Sequence, residues 1–449
     1  MTSHQGRVSV IEARPVNNPL VAESAPMPGC GEDMFEISVR QEILALKAYV
    51  PGLSIAEIQQ KYNLAKVIKM ASNENPLGMS PLACDAVQRH ASMGFRYPQG
   101  GNPRLAAALA KLHGVDARRI VVGNGSDEII DLLIRILAEP GVHNLVCFEP
   151  CFSIYPIQGR VCGVEVRRQP LNDDFSFNFD ALLSRVDANT RLVFVTTPDN
   201  PSGYCPPRED VAQLAEKLAQ IAPACLLVVD EAYMDFAENE PESSLLASGH
   251  LPENTAFMRT FSKSFGLAGL RVGYGILPPA IADYCWRARL PFSVNILAEE
   301  AALAALKDTT FYALTMQTVR QGRNALTVGL TALGCYVWPS AANFVLFQLP
   351  QNTLKAEDCF EALLRRGIII RPLKSYNLPD HLRVSVGNEQ ENRAFLLAMD
   401  EILLQNRHAE ADAAQMNRFI EHEILKQPAQ YLWVHRRFKT RPPGESRFY

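Results

Sequence analysis

Three short stretches carry residue types that could do chemistry together. The run Phe257-Met-Arg-Thr-Phe-Ser-Lys-Ser-Phe-Gly-Leu-Ala-Gly-Leu-Arg271 places Lys263 just past an apolar strand-like segment, among small and apolar neighbours. Desolvation disfavours an ammonium ion, so a lysine in such surroundings can offer a neutral amine for Schiff-base chemistry. An isolated loop lysine is ordinarily a solvated charge; the flanking serines and glycines argue against that here. Ser262 and Arg271 add donors suited to a phosphate, the arginine through its forked guanidinium. In Val228-Val-Asp-Glu-Ala-Tyr233, Asp230 ends an apolar run, at the edge where open α/β sheets present ligand-binding groups. An ionised aspartate there holds a cation or accepts a hydrogen bond from a protonated ring nitrogen; helix capping is the plainer alternative. In Arg119 to Leu137, the strand-like Ile120-Val121-Val122 runs into Gly123-Asn124-Gly125-Ser126, and Ile129, Leu132, Leu133 and Ile136 follow at helical spacing. The glycines permit a tight turn, Ser126 is expected to N-cap the helix, and the unpaired amides of a helix start suit a phosphate group.

The elements that must position these groups are legible as alternating strands and helices. Ile120–Val122, Asn144–Phe148, Leu192–Val195 and Leu226–Val229 are near-continuous apolar strands separated by segments long enough for crossover helices. That pattern predicts an α/β fold with a mostly parallel sheet covered on both faces. Helical spacing is also expected over Ile37–Leu46, stopped by Pro51-Gly52. The expected organisation is an N-terminal arm over 1–35, a segment over 36–75 packing with a smaller domain, a large domain over 76–294, a small α+β domain over 295–406, and an appended tail over 407–449.

With 449 residues, 47% hydrophobic and 20% charged, the chain can bury a sizeable core, which excludes a disordered scaffold. Lys+Arg 44 against Asp+Glu 48 gives a net charge of -4, without the basic excess of a nucleic-acid binder. No apolar run approaches the roughly 20 residues that span a bilayer, and the opening Met1–Met34 lacks the apolar core of a signal peptide. Ten cysteines without a C-x-x-C pair are expected to be reduced, buried thiols, with no metal site. A cytoplasmic enzyme without nucleic-acid or membrane partners is the resulting expectation. The basic, aromatic tail leaves a weak contact with phosphates or anionic lipid open, beside the plainer reading of a solvated appendage.

A lysine for an aldehyde, an acid for a ring nitrogen and a phosphate cup together describe one cofactor, pyridoxal 5'-phosphate. From about Phe35 to Gln405 the chain resembles the fold-type I aminotransferases, and among them the histidinol-phosphate aminotransferases. The resemblance rests on Ala71-Ser-Asn-Glu-Asn-Pro-Leu-Gly78, Arg96-Tyr97-Pro98, Gly125-Ser-Asp-Glu128, Pro198-Asp-Asn-Pro-Ser-Gly203, Asp230-Glu-Ala-Tyr233, Ser262–Arg271 and Leu382-Arg-Val-Ser-Val-Gly387, in that order. It implies a large domain built on a mostly parallel sheet, beside a smaller α+β domain. It implies that Lys263 holds the cofactor aldehyde and then moves the proton, and that Asp230 keeps the ring nitrogen protonated. Asn200 and Tyr233 would bond the ring oxygen and Phe152 would stack on the ring. The backbone at Ser126 and Asp127, with Ser262 and Arg271, would hold the cofactor phosphate. Tyr97 would reach that phosphate from the neighbouring subunit of a homodimer. For substrate, the resemblance points to Arg383 and Arg371 on a phosphate, with Asn200 in the pocket and Tyr49 closing it.

The activity so implied is amino transfer between L-glutamate/2-oxoglutarate and histidinol phosphate/imidazole-acetol phosphate in L-histidine biosynthesis. Transamination of aromatic amino acids and decarboxylation of a phosphorylated amino acid, as in the threonine-phosphate decarboxylases, share the motifs and stay open. A ligand-sensing or scaffolding role for a retired domain is opposed by the retention of Lys263, Asp230, Tyr233 and Arg271 together. The tail from about Met416 to Tyr449 instead resembles the end of the lipid A lauroyl acyltransferases, through Gln430-Tyr-Leu-Trp-Val-His-Arg-Arg-Phe-Lys-Thr-Arg-Pro442. No histidine in the chain has an aspartate five positions later, so the His-x4-Asp pair of those enzymes is missing.

Overall fold

The computed structural model describes residues 39–44, 46 and 52–406. The predicted arm over 1–35, the tail over 407–449 and Tyr49 lie outside the described residues. Among the described residues, thirteen strands run in chain order: β1 (Ile68–Lys69), β2 (Ile120–Gly123), β3 (Asn144–Glu149), β4 (Glu165–Pro170), β5 (Thr190–Thr196), β6 (Leu226–Asp230), β7 (Thr255–Thr260), β8 (Gly273–Ile276), β9 (Tyr336–Val337), β10 (Phe344–Gln348), β11 (Ile368–Ile369), β12 (Arg371–Pro372) and β13 (His381–Ser385).

Seven of them form one sheet in the order β2-β8-β7-β6-β5-β3-β4. All neighbours are parallel except β8, which runs against both β2 and β7. Successive side chains point to opposite faces of a strand, and both faces here are covered. Val122, Val146, Val193, Val195, Leu227 and Val229 enter one core with Leu105, Leu214 and Ala298. Their neighbours Val121, Leu145, Leu192, Phe194, Leu226 and Val228 enter a second core with Ile129, Leu133 and Tyr155. Double burial is why these strands read as unbroken apolar runs.

A four-stranded antiparallel sheet, β12-β13-β10-β9, forms a separate core with the long helix Thr309–Ala332 and the helix Ala356–Arg365. The N-terminal segment joins this side. Strand β1 pairs in parallel with β11, Ser385 N–H donates to the Met70 carbonyl at 2.8 Å, and Ile58 and Ala71 pack on Leu364 and Ile369. Ser54 starts the helix Ile55–Tyr62 with a capping box, its hydroxyl accepting from Glu57 N–H while the Glu57 carboxylate accepts from Ser54 N–H.

Three expectations need correction. The helix expected over Ile37–Leu46 is, among described residues, the single turn Gln41–Leu44. Ser126 is the first helical residue and not the N-cap; Gly125 takes the cap position with φ 76, a conformation that favours glycine. The helix Ile296–Ala305, expected in the small domain, turns Ala298, Ala301, Ala302 and Ala305 into the core of the large sheet. Its alanine-rich composition suits close packing there. No helix among the described residues is long and apolar enough to cross a membrane. Nine of the cysteines fall within them, all free; Cys84, Cys151, Cys162 and Cys205 are only half-buried.

Candidate active site

Parallel strands deliver their carboxyl ends to one edge of the large sheet. Register places Thr196 at the end of β5 beside Asp230 at the end of β6, with Met258 of β7 next. Strand β7 ends at Thr260, and the chain turns at once into Ser262 and Lys263. One cavity at this edge is lined by Ser126, Asp127, Phe152, Asn200, Asp230, Tyr233, Ser262, Lys263 and Arg271. Nine of the ten residues expected around the cofactor are therefore brought together. The tenth, Tyr97, lies elsewhere: it is 82% exposed and stacks on Phe292 at 4.8 Å between ring centroids.

Lys263 Nζ donates to the Ser72 carbonyl at 3.2 Å and lies 5.5 Å from the centre of the Tyr233 ring. Burial, reinforced by the positive charge of Arg383, pulls its ammonium down to about 8. A neutral amine is therefore within reach near physiological pH. Asp230, 2% exposed, accepts from the Tyr155 hydroxyl at 2.7 Å and from the Ala232 N–H at 3.1 Å. Burial pushes its carboxyl up to about 6, against the lowering effect of those donors. Behind the pair, Arg259 bonds Glu231, the residue after Asp230, at 2.6 Å, and Asp235 at 3.0 Å; Ser264, the residue after Lys263, donates to Asp235. This buried network fixes the two strand exits against each other.

The phosphate end of the cavity is made by backbone proximity. Arg271, itself in the left-handed region at φ 54, bonds Asp127 at 3.0 Å and reaches Ser262 Oγ at 3.4 Å. A Cβ on Gly125 would lie 2.5 Å from Arg271 Nη2, and one on Gly273 would lie 2.5 Å from the Ser126 nitrogen. The two glycines thus let a guanidinium and the amino end of the helix Ser126–Leu137 converge, which is the donor set of an anion cradle. A cradle for an anion, a buried acid and an amine lining one cavity fit a flat, phosphate-bearing pyridine aldehyde.

The other expected substrate residues belong to the small sheet. Strands β12 and β13 pair Arg371 directly opposite Arg383. Arg383, 5% exposed, donates to the Asn200 side-chain oxygen and, at 3.1 Å, to the Ala71 carbonyl; its Nε is a buried donor without a partner among the described residues. Asn200 therefore joins the cofactor cavity to the arginine pair.

Sequence reasoning missed three positioning groups. Tyr155 and Thr196 bond each other and, through Tyr155, Asp230. Asn73 donates to the Tyr233 oxygen at 3.1 Å and is itself held by Ser385. The three-residue step from Phe152 to Tyr155 could have flagged Tyr155; Asn73 lies within the Ala71–Gly78 motif, which gave it no role, and nothing local marks Thr196.

The profile of the class I and II aminotransferases matches residues 65–398. The chain belongs to that family. It is 58% identical over 369 residues to a histidinol-phosphate aminotransferase of Oleidesulfovibrio alaskensis, covering 82% of this chain and 95% of that one. Identity is 59% over 365 residues to a histidinol-phosphate aminotransferase of Nitratidesulfovibrio vulgaris Hildenborough, with 81% and 96% covered. Among solved structures, the histidinol-phosphate aminotransferase from Sinorhizobium meliloti in complex with pyridoxal-5'-phosphate superposes with a TM-score of 0.74 at 26% identity, covering 83% of this chain and all of that one. The same fold appears in the Thermus thermophilus aspartate aminotransferase with maleate, with a TM-score of 0.70 at 21% identity and coverage of 82% of this chain and 100% of that one. As an aminotransferase of this family the chain has an extra piece: residues 397–440 match the bacterial lipid A biosynthesis acyltransferases. That match begins inside the final described helix over 389–406, ten residues before the expected boundary at 407.

Proposed function

We propose that this aminotransferase moves the amino group between L-glutamate and imidazole-acetol phosphate, giving 2-oxoglutarate and histidinol phosphate, in L-histidine biosynthesis. The observation that carries the substrate choice is the pairing of Arg371 with Arg383 across adjacent antiparallel strands. Like charges directly opposite one another destabilise a sheet, and a bound dianion reverses that cost by accepting from both guanidinium groups. The buried Arg383 Nε leaves a donor for it.

Bound pyridoxal 5'-phosphate supplies an aldehyde that holds amino groups and a cationic ring that withdraws electrons from the carbon bearing them. Arg271, Ser262 and the Ser126 and Asp127 amides would hold its phosphate, and Phe152 would stack on its ring. Asp230, aligned by the Tyr155 hydroxyl and the Ala232 N–H, would accept the hydrogen bond of the protonated ring nitrogen. The Tyr233 oxygen accepts from Asn73, which leaves the phenolic proton for the ring oxygen, alongside the Asn200 amide. Lys263 Nζ, its ammonium pulled down to about 8, would take the proton from the amino-bearing carbon of the donor and return it on the other side of the reaction.

A homodimer is part of this reading. Phe95, Tyr97, Leu290 and Phe292 are exposed, with Tyr97 stacked on Phe292, apolar surface of the kind a partner subunit covers. Tyr97 from the partner then completes the phosphate cradle. Incubating the protein with glutamate and imidazole-acetol phosphate should yield histidinol phosphate and 2-oxoglutarate. Carbon dioxide release from a phosphorylated amino acid, or faster turnover of phenylpyruvate, would overturn the assignment in favour of a decarboxylase or an aromatic aminotransferase.

A further inference from the structure

We propose that Tyr155 is a positioning residue for the ring-nitrogen acid, its hydroxyl relaying a hydrogen bond from Thr196 that holds the Asp230 carboxylate ionised and aimed into the cavity. This rests on the cofactor reading above. The Tyr155 oxygen lies 2.7 Å from Thr196 Oγ1 and 2.7 Å from Asp230 Oδ2. A phenol has one proton, and an ionised carboxylate only accepts. Tyr155 therefore donates to Asp230, and Thr196 donates to Tyr155. The direction of the chain is fixed by the charge at its end.

The arrangement is built by the fold. Register between β5 and β6 puts Thr196 beside Asp230. The helix Ile154–Val161 delivers Tyr155 from the far side of the sheet. The phenol ring cannot swing away: it stacks on Phe194 at 4.6 Å between centroids and meets Phe152 edge-on at 5.6 Å. The same side chain thus seats the aromatic ring assigned to the cofactor face and orients the acid assigned to its nitrogen. Tyr155 is 1% exposed, so no water substitutes for its hydroxyl without displacing the packing.

The groups around Asp230 show why it needs the donor. Asp127 from the helix Ser126–Leu137 and the adjacent Glu231 oppose its ionisation, as does burial, while Lys263 and Arg271 line the same cavity. Among the described residues its donors are the Tyr155 hydroxyl and the Ala232 N–H, and the first is the shorter bond.

The test uses the purified full chain stripped of cofactor, and measures the dissociation constant for pyridoxal 5'-phosphate across the acidic to neutral range. In the unaltered protein, affinity is full where Asp230 is ionised and falls as pH drops through about 6. Tyr155→Phe removes a donor to the charged form, so the acid-side fall begins at higher pH, and affinity at neutral pH drops by at least about tenfold, the scale of a hydrogen bond to a charged group. Thr196→Val shifts the profile less in the same direction, and Thr196→Ser restores it. An unchanged pH profile in Tyr155→Phe, whatever its absolute affinity, overturns the relay and reduces Tyr155 to packing. Should Tyr155→Phe not fold, identical profiles for Thr196→Val and Thr196→Ser overturn it equally. Failure of the unaltered protein to bind pyridoxal 5'-phosphate would instead remove the cofactor reading, and this proposal with it.

Discussion

The two ends of the site come from different sheets and are held in different ways. At the cofactor end, Ser126, Asp230 and Lys263 each lie at or just past the end of a strand of the seven-stranded sheet and line one cavity. The Arg259 network locks the segments just behind Asp230 and Lys263. At the phosphate end, Arg371 and Arg383 stand within two short strands, and the partners of Arg383 come from far along the chain. The Ala71 carbonyl that Arg383 bonds is 312 residues away, and the Asn200 oxygen 183. The contrast separates labour: a fixed end that handles protons and electrons, and an end assembled from several segments that reads the substrate. Binding elements that can be exchanged without disturbing the chemistry allow one fold to serve many substrates.

The comparison breaks most visibly if the fixed end tolerates change. Lys263→Ala should lower transamination at least about a thousandfold, since general base catalysis alone contributes about 10²–10⁴, without unfolding the protein. Single-turnover assays with glutamate would show it, and a residual rate within tenfold of the parent would place the proton-moving amine elsewhere. Asp230→Ala comes next. Removing one member of a buried charge pair costs about 3–5 kcal/mol, so cofactor affinity should fall about a hundredfold or more by equilibrium titration.

The recognition end should respond differently. Arg383→Ala is expected to raise the Michaelis constant for histidinol phosphate about 10- to 100-fold, on the scale of a charge-assisted contact, and far more than Phe152→Leu does. An equal effect of the two changes would dissolve the distinction between the ends. Asn200 sits at the joint, so Asn200→Ala should combine a weaker cofactor with a higher Michaelis constant.

The same contrast explains what the sequence disclosed. The four apolar strands and the motif around each strand exit are local patterns, and they placed Lys263, Asp230, Ser126 and Arg271 in one cavity before any coordinates. Tyr155, Thr196 and Asn73 escaped because their roles come from register and from a contact 160 residues apart, Asn73 with Tyr233. The helix cap at Ser126 was misjudged because hydroxyl propensity favours serine there, while the approach of Arg271 demands a residue without a Cβ at Gly125. The helix Ile296–Ala305 was placed with the wrong core because its alanines show no strong polar face to reveal which side is buried.

The smallest expected effect tests whether the ends are electrically independent. Lys263 holds its ammonium near a pKa of about 8 because burial disfavours the charge and Arg383 repels it. Only the neutral amine attacks an aldehyde, so the rate at which stripped protein takes up pyridoxal 5'-phosphate should rise with pH and level off above about 8. Arg383→Ala removes a repelling positive charge. The ammonium then becomes easier to keep, the pKa rises, and the rising limb of the loading rate moves to higher pH. Stopped-flow absorbance over the neutral to alkaline range would resolve the shift, and Arg371→Ala offers a comparison, since Arg383 is the substrate-side arginine among the groups that act on Lys263. A midpoint unmoved by Arg383→Ala would mean that the recognition end leaves the lysine untouched. Loading and substrate reading would then meet only through Asn200. A midpoint that moves would mean that filling the phosphate site with a dianion, by neutralising the same arginine, makes Lys263 more basic at the moment it must take a proton.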